Sequence, residues 1–147
     1  MPERRTHDFE TVSRPMLHPL HAILLAFPIA LFTGALVSDI AYLRTAELQW
    51  SNFAAWMITG ALVVGAMVLL WALVSAVLAR RAGRVRAGGY LLLIVIMWGA
   101  GLVNAFQHSR DGWSSVGALG LLLSLTSMLA ALLAGWIGFS AARRIAR

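Results

Sequence analysis

The stretch His18–Leu43, HPLHAILLAFPIALFTGALVSDIAYL, decides how this chain folds. No ionisable side chain lies between His21 and Asp39. A helix over these residues is long enough to cross a bilayer core, which is about 30 Å thick and needs about 20 apolar residues. Pro19 suits the first helical turn, where its missing N–H costs nothing. Pro28 cannot donate to Leu24, so a bend is expected near the middle of the helix. Three further apolar runs have the same reach, which predicts helices over about 19–43, 53–79, 88–107 and 116–142. Residues 1–17 read as a polar tail and 18–147 as a four-helix transmembrane domain. The connections are short, so consecutive helices should be antiparallel neighbours. The fold class is therefore an all-α membrane protein, a four-helix up-down bundle.

Charge gives the orientation. All twelve basic residues are arginines. Arg4, Arg5 and Arg14 precede the first run, Arg80, Arg81, Arg84 and Arg86 separate the second from the third, and Arg143, Arg144 and Arg147 follow the fourth. The other two connections hold only Arg44 and Arg110. Positive charge beside membrane spans stays cytoplasmic, so both termini are expected inside. A net charge of +6 raises nucleic acid as a partner, but arginines that flank apolar runs meet lipid headgroups instead. The expected partner is the bilayer, with no nucleic acid. The 60% hydrophobic composition excludes a soluble core with polar helix faces. With no cysteine there is no disulfide, thiolate cluster or covalent c-type haem attachment. The acidic residues Glu3, Asp8 and Glu10 in the leader, and the length of the first run, make it a retained helix rather than a cleaved signal.

Small residues at every fourth position, Ala22, Ala26, Ala30, Gly34 and Ser38, predict the packing face of the first helix. Ser127, Ala131 and Gly135 on the fourth helix are the expected partner stripe. Trp50, Trp56, Trp113 and Tyr42 are placed at one membrane boundary and Trp136 nearer the other, while Trp71 and Trp98 read as packing residues.

Two groups could carry chemistry. His18 and His21 open the first helix, and their three-residue spacing points both imidazoles roughly the same way. They are candidate cofactor ligands, with helix capping and headgroup hydrogen bonds as the competing role; no separate metal site is read. Asp39 lies 18 positions beyond His21, about 27 Å along the axis at 1.5 Å per residue. It is grouped at the opposite rim with Asn104, His108, Arg110 and Asp111. Pairing of Asp39 with His108 or Arg110 would clasp the first helix to the third and offset the cost of a carboxylate near hydrocarbon. The alternative is an outward-facing cation or quinone-headgroup site. Because the two histidine-bearing ends lie on opposite faces, His18 and His21 cannot share an iron atom with His108. Thr33, Thr59, Ser75, Ser124, Thr126 and Ser127 are expected to bond to backbone carbonyls or across helices. The centre of every span lacks an ionisable group, which argues against a stand-alone pump.

The segments His18-Pro19-Leu20-His21, Phe27-Pro28-Ile29-Ala30 and Asp39, with Gly135-Trp136-Ile137-Gly138 in the fourth helix, resemble the bacterial predicted-membrane-protein family catalogued as domain of unknown function 2231. The resemblance implies a four-helix domain in the bacterial inner (cytoplasmic) membrane and a haem-linked or electron-transfer setting. Many members carry a further histidine after the fourth helix, whereas Phe139-Ser140-Ala141-Ala142-Arg143-Arg144 here has none. The leading expectation is a non-enzymatic subunit or scaffold of a redox-associated membrane assembly, pairing with itself or with another membrane protein. Its cofactor is unknown. The alternative is a carrier of b-type haem or a metal on His18 and His21, and a third reading is solute or ion passage through an oligomer.

Overall fold

The computed structural model describes residues 17–79, 81–110 and 116–140. Four helices account for nearly all of them: α1 (Pro19–Thr45), α2 (Leu48–Leu78), α3 (Arg81–His108) and α4 (Ala118–Ser140). All four are long and apolar enough to span a membrane, with mean hydropathies of 2.2, 2.6, 1.9 and 2.0. Two helices outrun the lengths expected from hydropathy. α2 begins at Leu48 and α3 at Arg81, because Gln, Ser, Arg and Ala continue a helix beyond the apolar run that would sit in lipid.

Local chemistry sets the ends of α1. His18 Nδ1 accepts from the backbone N–H of Leu20 at 3.3 Å, and Pro19 occupies the first turn. At the other end Ala46 takes the left-handed conformation with φ 57°, and its N–H closes on the Tyr42 carbonyl at 2.8 Å. Glu47 then leads into α2.

α1 packs against α2 and α4, and α3 packs against the same two helices. α1 and α3 therefore face each other across the diagonal of a square. They run parallel, because each is antiparallel to its neighbours. The contact faces follow a repeat of alternating three and four residues. On α1 it runs through His21, Leu25, Pro28, Phe32, Ala35 and Asp39, and on α2 through Ser51, Ala54, Ile58, Ala61, Gly65, Val68 and Ala72. That spacing keeps one face toward neighbours along the full length of a gently coiled bundle.

The packing stripe expected on α1 does not form that face. Ser38 is buried and Ala22 and Gly34 are half-buried, but Ala26 and Ala30 are exposed. At 3.6 residues per turn, a strict four-residue repeat rotates by about 40° per step and leaves the interface within two turns. The α4 residues Ser127, Ala131 and Gly135 are buried, and a Cβ at Gly135 would lie 3.0 Å from Ile29 of α1. Near the midplane, Phe32 fills the space beside Gly101, where a Cβ would sit 2.6 Å from its ring.

Candidate functional site

Polar side chains gather at the two ends of the bundle. At the first end Asp39 is fully buried on α1. Its Oδ1 accepts from His108 Nε2 of α3 at 2.9 Å, and its Oδ2 accepts from Ser124 Oγ of α4 at 2.5 Å. Ser124 in turn accepts from Asn104 Nδ2 at 2.7 Å. His108 Nδ1 faces the Asn104 carbonyl at 3.0 Å, the contact expected of residues four apart on a helix. Both imidazole nitrogens thus meet acceptors, and one proton lies between Nε2 and Oδ1. Whichever atom holds it, the pair carries no net charge, which suits apolar surroundings. Asn104 Oδ1 is buried without a partner.

Ser124 takes the second of the two outcomes expected of the hydroxyls, a bond across helices, whereas Thr33, Thr59, Thr126 and Ser127 bond to the carbonyl four residues earlier in their own helix. Arg110 is exposed, and among the described residues no ion pair joins it to Asp39. Asp111 and Trp113 lie outside the described residues.

At the second end His21 is 1% exposed, and its Nε2 meets the Tyr90 hydroxyl of α3 at 2.7 Å. The same offset of 69 residues relates His21 to Tyr90 and Asp39 to His108. It also relates Phe32 to Gly101, so a single register of α1 on α3 sets both ends and the middle. His21 Nδ1 is buried without a partner. The ring centre of Trp71 on α2 lies 5.5 Å from that of His18 and 5.4 Å from that of His21. A cavity of about 160 Å³ opens beside them, lined by His18, His21, Trp71, Ser75, Tyr90 and smaller apolar groups. Neither Tyr90 nor the position of Trp71 against the histidines was anticipated.

His21 Nε2 is taken by Tyr90, and the cavity beside the histidines is smaller than a porphyrin. Among the described residues no three His, Cys, Asp or Glu side chains gather to hold a metal ion.

Four apolar spans with paired polar ends define a multi-pass membrane protein of the four-helix-bundle class. The chain belongs to the family described as Predicted membrane protein (DUF2231), which matches residues 17–146. No curated protein and no solved structure matches it.

Proposed function

We propose that this chain is a non-enzymatic subunit or scaffold of a redox-associated assembly in the bacterial inner membrane, with both termini cytoplasmic. The observation that carries this reading is the use made of the buried polar groups. Asp39, His108, Ser124 and Asn104 are spent on one another, holding α1, α3 and α4 together. Between the two ends lie Leu25, Pro28, Phe32, Ile94 and Met97, an apolar layer that offers no relay for protons or ions. The outer surface is apolar on every helix, including Phe27, Val63, Phe106 and Leu133, and suits lipid, a second copy or another membrane protein. The orientation rests on the positions of the arginines in the sequence, and Leu17, just before α1, lies beside Gly138 near the end of α4. The redox setting rests on the family resemblance alone.

Protein purified from haem-supplied cells is expected to lack a Soret band. A stoichiometric band lost in His18→Ala or His21→Ala would overturn the scaffold reading in favour of a haem carrier. Because the chain has no cysteine, single cysteines at positions 18 and 108 report topology directly. Labelling from opposite faces is expected, and labelling of both from one face would sink the orientation.

A further inference from the structure

We propose that the cavity beside His21 binds the ring of a membrane-dissolved isoprenoid quinone. This goes beyond the scaffold role and does not depend on it. Three observations on the cavity select the ligand class.

The first is the supply of hydrogen-bond donors. When the Tyr90 hydroxyl donates to His21 Nε2, the neutral ring carries its proton on Nδ1. That nitrogen is buried with no partner, on a side chain that lines the cavity. His18 accepts the Leu20 N–H through Nδ1, which leaves Nε2 of the neutral ring as the protonated nitrogen. In that arrangement His18 and His21 each keep an N–H outside these hydrogen bonds, and with the Ser75 hydroxyl they form a donor set on side chains that line the cavity, which suits a ligand bearing acceptor oxygens. The second observation is charge. Among the described residues the lining, Leu17, His18, His21, Trp71, Ala72, Ser75, Ala87 and Tyr90, includes no carboxylate, arginine or lysine. A neutral ligand suits such walls better than a phosphate headgroup or a free cation.

The third is size and depth. A volume of about 160 Å³ is close to the roughly 150 Å³ cavity that admits one benzene ring. The Trp71 indole, tilted against both imidazoles with ring centres 5.5 and 5.4 Å away, supplies a flat wall. The cavity sits at the ends of three membrane-spanning helices, and exposed Ser75 and half-buried Ala87 mark an opening between α2 and α3. A ring lodged here would leave an isoprenoid tail in the hydrocarbon. A neutral, planar six-membered ring with two carbonyl oxygens and a lipid tail meets all three conditions.

The test uses full-length protein in quinone-free phospholipid nanodiscs titrated with decylubiquinone, read by quenching of tryptophan fluorescence. Saturation at one quinone per chain is expected, with the quenching lost in Trp71→Phe and unchanged in Trp56→Phe, which lies exposed at the opposite end. His21→Gln retains an amide near the position of Nε2 for Tyr90 but removes Nδ1, and should weaken binding about tenfold, the scale of one neutral hydrogen bond. Ala87→Leu touches no hydrogen bond and fills the cavity, so it should weaken binding at least as much while the protein stays monodisperse. Linear, non-saturating uptake by the wild type would overturn the proposal, as would wild-type affinity in both cavity variants. Saturable binding of Zn²⁺ alone or of haemin, with no response to decylubiquinone, would overturn it in favour of a metal or haem site. A Soret band would defeat the scaffold reading, whereas failed decylubiquinone saturation defeats only this one.

Discussion

The two ends of the bundle are built on one register and spend their polar atoms differently. At the Asp39 end a carboxylate, an imidazole, a hydroxyl and an amide form a chain of hydrogen bonds across three helices. At the His21 end a single hydrogen bond to Tyr90 spans the same diagonal, and the second imidazole nitrogen is left over beside a cavity. A network whose members bond mainly to one another stabilises; a pair with a spare donor next to open space is suited to receive something. If the proposed ligand binds, the difference separates a bracing end from a binding end within one small domain.

The largest effect should fall on the Asp39 end, where four side chains bond across three helices. Asp39→Ala strands His108 and Ser124 in apolar surroundings, and breaking a buried pair of this kind costs about 3 kcal/mol. Thermal unfolding in detergent is expected to show the loss, with Asp39→Asn intermediate because the amide keeps an acceptor. A negligible effect of Asp39→Ala would remove the contrast between the ends and leave the cluster without a structural role.

Next in size is Gly101→Ala. A Cβ at this position would press on Phe32, which is fully buried and has little room to turn. Overpacking of this order costs about 2 kcal/mol. Since Phe32 and Gly101 share the register that aligns both ends, decylubiquinone binding should fall along with stability. Gly99→Ala meets nothing within 4 Å and serves as the control. If Gly101→Ala lowered stability but left quinone binding intact, the two ends would be set independently.

How much of this could be read from the residues follows from the solvent. In a bilayer every face of a helix can be apolar, so composition located four spans but could not say which face of each turns inward. The small-residue stripe from Ala22 to Ser38 was a reasonable guess at that face, and it drifts off the interface for the geometric reason given above. The depth of the polar groups was legible, because 1.5 Å per residue separates His21 from Asp39 whatever the packing. Their partners were not. Asp39 was left with a choice of His108 or Arg110, and the hydrogen bond goes to His108. For Ser124 the sequence allows a bond to a backbone carbonyl or across helices, and the structure shows the second, to Asp39. Tyr90 lies near the start of an apolar run, where tyrosine ordinarily anchors a helix at the headgroups.

The smallest effect should come from Tyr90→Phe. It removes one hydroxyl from the His21 end and leaves the aromatic ring, whose centre is 5.7 Å from that of His21, in place. A single hydrogen bond between membrane helices contributes about 0.6 kcal/mol, because partners are found in the unfolded state as well. Tyr90→Phe should therefore cost about a fifth of what Asp39→Ala costs, while weakening decylubiquinone binding by freeing the proton arrangement of His21. That combination, a small change in unfolding temperature with a clear change in affinity, is what a binding end predicts. If Tyr90→Phe destabilised the protein as much as Asp39→Ala and left quinone affinity unchanged, the His21 end would be a second brace, and the asymmetry between the two ends would vanish.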